Sequence, residues 1–116
     1  MSQQIGFAAE AHAHEFLKGQ GLISVVSNYR CKMGEIDLIM RDKTHLIFIE
    51  VRARTNNRFG GALASITHDK RKKLQKTALH YLSANRLHEK FPVLFDVVAI
   101  DGQTREITWL QNVFVD

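Results

Sequence analysis

The chain has 116 residues, 45% hydrophobic and 24% charged, with one proline and seven glycines, which is the size and composition of one globular domain and excludes a collagen-like, low-complexity or disordered chain. Its single cysteine, Cys31, excludes an intrachain disulfide and a cysteine-based zinc site, and points to a reducing, cytoplasmic home. The net charge of +4 is unevenly spread: Arg52 to Lys76 holds eight basic residues and one acid, a local +7 that leaves the rest of the chain at −3. Such a concentration points to a polyanionic partner, nucleic acid foremost, with a solvated helix face as the plain alternative.

The first twenty residues carry polar residues throughout without a continuous apolar stretch, and no run approaches the roughly 20 apolar residues of a membrane helix, so neither a signal peptide nor a membrane span is expected. Ile5 to Gly19 predicts a helix, because Ile5, Ala9, Ala13, Phe16 and Leu17 fall on one stripe at about 100° per residue. Glu10 borders that stripe and can point toward a neighbouring element. After the Gly19 and Gly21 break, Leu22 to Asn28 is rich in β-branched residues and predicts a strand. Tyr29 to Gly34 reads as a connection.

Two strands follow, Glu35 to Met40 and His45 to Arg52, joined by a hairpin loop within Arg41 to Thr44. Facing residue numbers in such a pair add to a constant, here expected to be 85, which sets Asp37 opposite Phe48. Any odd sum leaves Asp37, Phe48, Glu50 and Arg52 on one face. The segment from Ala53 to Ser65 reads as an exposed loop. Thr67 is the expected N-cap of a second helix, with Asp69 in its first turn and its end near His88. Leu74, Ala78, Tyr81, Leu82 and Asn85 lie along one side of it; Lys70, Arg71, Lys72, Lys73 and Lys76 crowd the rest of its first turns. Pro92 leads into an apolar, interior strand, Val93 to Ile100, and Asp101-Gly102 turns the chain into a fifth strand, Arg105 to Leu110. The expectation is one α/β domain over residues 1–116, with a central mixed five-stranded sheet flanked by helices.

Two carboxylates on one face among apolar neighbours are costly unless compensated. A hard divalent cation, Mg²⁺ or Mn²⁺, suits a pair of oxygen ligands at this spacing. A salt-bridge cluster with Arg52 or Arg54 accounts for the same residues, and geometry alone leaves the two readings level. Asp96, inside an apolar strand, reads as a structural acid paired with a cation or with backbone donors. Trp109 reads as packing a strand against a helix.

The order Asp37, then Glu50-Val51-Arg52, resembles the PD-(D/E)XK signature of restriction-endonuclease-like nucleases. The longer set Gly6, Glu10, Asn28-Tyr29-Arg30, Gly34 to Ile39, Phe48 to Arg54, Phe59-Gly60 and Phe95 to Val98 resembles the YraN family of bacterial predicted endonucleases, related to archaeal Holliday junction resolvases. The resemblance implies a restriction-endonuclease-like fold and metal-dependent hydrolysis of phosphodiester bonds in DNA, branched DNA included. Under it, Asp37, Glu50 and the Val51 carbonyl hold Mg²⁺ or Mn²⁺, Glu10 is the helix carboxylate of the site, and Arg52 stands at the lysine position. Arg54, Arg58, Lys70, Arg71, Lys72, Lys73 and Lys76 are the candidate nucleic-acid contacts, and the resolvase analogy implies a homodimer. Arginine in place of lysine supplies charge but no general base, and Leu94 stands where the family often has arginine. A nucleic-acid-binding module without catalysis is the alternative from another class.

Overall fold

The computed structural model describes residues 2–54, 59–87 and 89–114, with the side chains of residues 2–7, 54, 59, 60 and 62 left aside. Helix α1 (Ser2–Gly19) is followed by strands β1 (Ile23–Cys31), β2 (Gly34–Arg41) and β3 (Leu46–Arg54), helices α2 (Phe59–Ala64) and α3 (His68–Ala84), and strands β4 (Val93–Asp101) and β5 (Ile107–Leu110). The strands form one sheet in the order β1-β2-β3-β4-β5. All neighbours are antiparallel except β3 and β4, which run parallel from Leu46↔Val93 to Arg54↔Asp101. The expected mixed five-stranded α/β domain is therefore the observed one. Among the described residues no helix is long and apolar enough to cross a membrane.

Alternation along the strands sorts the core into two layers. Ile47, Ile49, Val51, Val98 and Ile100 pack with Ala13 and Leu17 of α1. Leu46, Phe48 and Val97 pack with Leu74, Ala78, Tyr81 and Leu82 of α3. Thr67 caps α3, accepting from the Lys70 N–H. The helix ends at Ala84, one turn short of His88, which lies outside the described residues. Asn85 is its exposed C-cap rather than part of the packed side; Thr77 is the buried residue not expected there, its hydroxyl satisfied by the Lys73 carbonyl at 2.7 Å.

Three other expectations change. Tyr29 to Cys31 is strand, not connection, and pairs with Ile36 to Gly34 across a two-residue turn, Lys32-Met33. Tyr29 packs edge-on against Tyr81, 5.1 Å between ring centres, and its hydroxyl meets His80 Nδ1 at 2.6 Å, which ties this end of β1 to α3. Gly34 starts β2 at φ 150°, where a Cβ would lie 3.1 Å from Thr77 Oγ1, so the close approach of hairpin and helix requires glycine. The β2–β3 sum is 87, not 85, because the turn is centred on Lys43-Thr44. The Asp42 carboxylate fixes that turn by accepting from the Thr44 and His45 N–H groups at 2.8 and 2.6 Å. Finally, the supposed loop of Ala53 to Ser65 contains the end of β3 and all of α2. Its Gly60-Gly61 pair lies within a helix, where the flexible-loop reading of Gly and Asn composition has no hold.

Beyond the register shift between Ser24 and Val26 on β1, the period-two alternation of β1 and of β2 breaks at facing positions. Ile36 packs on the α3 side while Leu38 and Met40 pack on the α1 side, so the break on β2 falls at Asp37. Val26 and Tyr29 both pack on the α3 side, which places the break on β1 beside Asn28, whose φ is 55°.

Candidate active site

The β2–β3 ladder runs from Arg41↔Leu46 to Leu38↔Ile49 and there the strands part. Continuing the count sets Asp37 directly across from Glu50, a closer arrangement than the diagonal one expected from a sum of 85. Side chains take over from the backbone in this split. The Asp37 N–H donates to Glu50 Oε1 at 3.3 Å, and the Val51 N–H donates to Asp37 Oδ2 at 2.8 Å. Each carboxylate thus accepts a ladder bond that a carbonyl would ordinarily accept, which holds both acids inside the sheet.

Arg52 closes the split. Its guanidinium lies 3.2 Å from Glu50 Oε2 and also donates to the Val51 carbonyl at 3.3 Å. Glu35, at the start of β2, pairs with Arg30 at 3.0 Å and is exposed. Glu10 approaches from α1 and stands against Asp37, and a cleft of about 220 Å³ opens beside it between α1 and β1, lined in part by His14, Ser27 and Asn28.

The charge balance of this group is unfavourable. Burial, and then the neighbouring Asp37 charge, push the Glu50 carboxyl up to about 8, although Arg52 pulls the other way. Burial and Asp37 likewise push Glu10 up to about 7, while the Asn28 amide counters the rise. Asp37 is raised by burial too, against the lowering effects of the Val51 N–H and Arg52. Among the described residues three acids share one guanidinium, and a buried carboxylate without its own cation holds a proton instead.

As hard oxygen donors, Asp37, Glu50 and the Val51 carbonyl have the chemistry that Mg²⁺ or Mn²⁺ requires. Their excess negative charge is what a divalent ion neutralises. In the present arrangement every one of these oxygen groups is engaged internally, and among the described residues no three His, Cys, Asp or Glu side chains are grouped ready to ligate an ion. The donor set fits in kind, then, with Arg52 standing where the ion's charge would be needed.

The basic segment divides. Lys72, Lys73 and Lys76 are exposed on α3, while Lys70 Nζ donates to the Ser65 carbonyl at 3.2 Å. Arg71 is half-buried with its guanidinium 4.9 Å from the centre of the Phe114 ring, so it also fastens the end of the chain to α3. Arg54 closes β3, its side chain among those left aside, and Arg58 lies outside the described residues. The Cβ of Lys73 comes within 4.0 Å of the Cβ position at Gly34, three residues before Asp37, so the basic face of α3 and the carboxylates belong to the same end of the sheet.

A model of the uncharacterised protein family UPF0102 matches residues 9–100, which include Glu10, Asp37, Glu50 and Arg52. The chain belongs to UPF0102. This is the YraN family that the sequence motifs resemble. The chain is 52% identical over 114 residues to a UPF0102 protein of Legionella pneumophila strain Corby, covering 98% of this chain and 97% of the relative. It is 51% identical over 109 residues to one from Nitrosomonas eutropha, with 94% and 91% covered, and 47% identical over 112 residues to one from Coxiella burnetii, with 97% and 92% covered.

Asn28 is the site residue that sequence reasoning quoted without a role. The available signal was an asparagine inside a run of strand-forming residues, since asparagine is disfavoured in strands and tolerates the left-handed region. His14, one helical turn beyond Glu10, gave no such signal; its Nε2 lies 3.0 Å from the Ser24 hydroxyl at the cleft wall.

Proposed function

We propose that this UPF0102 protein is a cytoplasmic, Mg²⁺- or Mn²⁺-dependent endonuclease that hydrolyses phosphodiester bonds in DNA, branched DNA included. The observation that carries this reading is the excess of carboxylates in the β2–β3 split: among the described residues Glu10, Asp37 and Glu50 share a single guanidinium, and two of them are held well above the ordinary carboxylate range. Groups so perturbed, and so placed at one end of a sheet beside a basic helix, are the mark of a chemical site.

In this reading Asp37, Glu50 and the Val51 carbonyl would hold the ion, which when bound would polarise a phosphate and acidify a water. Lys72, Lys73 and Lys76 of α3 draw the DNA backbone to that end of the sheet. Glu10 orients the attacking water from the α1 side. Arg52, permanently charged, would offset the charge that develops on the phosphate oxygens. Cleaving two strands of a symmetric junction takes two such sites, hence a homodimer.

Calorimetric titration of Mn²⁺ followed by incubation with a four-way DNA junction tests the reading. Saturable uptake and strand cleavage, both absent in Asp37→Asn, are the expected results. Metal uptake unaffected by Asp37→Asn, or cleavage that persists in a chelator, overturns it. The contact of Arg52 with both Glu50 and the Val51 carbonyl favours a second reading, a nucleic-acid-binding module whose acids are neutralised internally. Junction binding with no metal uptake by either protein selects that one.

A further inference from the structure

We propose that Asn28 is a positioning residue for Glu10: set opposite Asp37 in the sheet, its left-handed backbone turns the side-chain amide out of the strand and into the cleft where the Glu10 carboxylate stands. The proposal rests on the reading of Glu10 as part of a working site, and it begins from the backbone of Asn28.

A left-handed residue ordinarily marks a turn or a helix end. Asn28, at φ 55°, is neither. It lies inside β1, and the pairs on either side of it, Ser27↔Leu38 and Tyr29↔Ile36, keep one register. A bulge adds a residue to one strand and shifts its pairing. Here both strands break their alternation together and the pairing resumes unshifted. The net product is that Tyr29 and Ile36, just beyond the break, both face the α3 side, while positions 28 and 37, which face one another, stand at the crossover itself.

Both side chains go to the same neighbour. Asp37 is in contact with Glu10, and the Asn28 side chain hydrogen-bonds the same Glu10 carboxylate within the cleft that both residues line. An amide serves here where another acid or a base does not. It donates to a carboxylate without adding charge to a group already crowded with acids. A local backbone outlier kept at such a place is the expected sign of a functional constraint. Asparagine also meets the steric demand, being one of the few non-glycine residues that enter this region readily.

Two substitutions separate backbone from amide. Asn28→Gly takes up the left-handed conformation freely and removes the donor; Asn28→Asp keeps the shape and presents an acceptor. Each is made alone and together with Glu10→Gln, and all the variants, Glu10→Gln by itself included, are unfolded in urea without metal at pH 8. Positioning predicts non-additivity: Asn28→Asp lowers the unfolding midpoint when Glu10 is intact and ceases to do so when Glu10→Gln is also present, and the effect of Asn28→Gly likewise depends on the side chain at position 10. A residue needed only for its backbone gives the same shift for each substitution whether or not Glu10 is replaced, and that result overturns the proposal.

The second readout is Mn²⁺ affinity by calorimetry, expected to weaken about tenfold or more in Asn28→Gly and Asn28→Asp, the scale of outer-shell changes at metal sites. Undiminished Mn²⁺ affinity in both variants overturns the positioning role even where the unfolding data couple. Absence of Mn²⁺ uptake by the unaltered protein is the failure of the nuclease reading instead, and the unfolding cycle then decides Asn28 by itself.

Discussion

Two buried acids on neighbouring strands of this sheet are treated in opposite ways. Asp96 of β4 is 2% exposed, and each of its oxygens has its own donor: the Trp109 indole N–H at 2.9 Å and the Asn112 N–H at 2.8 Å. Trp109 in turn meets Phe16 of α1 edge-on at 6.5 Å, so this acid ties strand, tail and helix together. Glu50 of β3 is 8% exposed and also accepts two contacts, yet it shares its surroundings with Asp37 and Glu10. Burial of a carboxylate is therefore no guide to function. What distinguishes the two is the local ratio of acids to donors, complete at Asp96 and short at Glu50.

The largest separation is expected from Glu50→Gln. It removes saturable Mn²⁺ binding while raising the metal-free stability at pH 8 by about 2 kcal/mol, because it relieves a repulsion that the ion would otherwise neutralise; isothermal calorimetry and urea unfolding on one preparation measure both. Its counterpart, Asp96→Ala, leaves the indole and the Asn112 N–H unsatisfied, costs about 3 kcal/mol in urea unfolding and leaves Mn²⁺ affinity unchanged.

The pH dependence sharpens the same contrast. Glu10, Asp37 and Glu50 are held above their ordinary values, so their protonated forms favour the folded chain. That contribution is complete below about 4.5 and is lost as the pH climbs through about 7 and about 8. Thermal unfolding without metal should show a declining midpoint over this window, flattened in Glu50→Gln and reversed by Mn²⁺. The smallest effect on the fold belongs to the exposed charges: replacing Lys72, Lys73 and Lys76 with Gln should change stability by no more than about 0.5 kcal/mol. It should lower the salt slope of DNA affinity, read by fluorescence anisotropy, by about 1 per lysine.

The five strands were legible in the sequence because each has a length and alternation that turns interrupt, and an odd hairpin sum sufficed to bring Asp37 toward Glu50. The exact sum was not legible, since Asp42 and His45 read equally well as loop or ladder until the Asp42 carboxylate is seen to accept from Thr44 and His45. Tyr29 to Cys31 was hidden by Asn28, which reads as a strand end because the left-handed region is usually entered only at turns. Helix α2 was hidden by its glycines, which composition assigns to loops. The structural character of Asp96 was legible as a choice between cation and backbone donors, whereas the indole donor comes from a strand whose register no local pattern reveals. The engagement of Arg52 with Glu50 was one of two equal readings, and that of Arg71 with Phe114 was out of reach, being a contact between segments distant in sequence.

The strand order also has a consequence in time. Asn28, Asp37, Glu50 and Arg52 all lie on the meander β1-β2-β3, whose two connections are two and four residues long, whereas β4 joins β3 in parallel only after the chain from Arg54 to Val93 has closed on itself. Short hairpins assemble ahead of long crossovers. The mutual repulsion of the acids is then felt on the way up the folding barrier rather than after it, and Glu50→Gln should act mainly by quickening refolding in a stopped-flow experiment, with the unfolding rate little changed. The part of the molecule shaped for chemistry would thus also be the part that sets its pace of assembly.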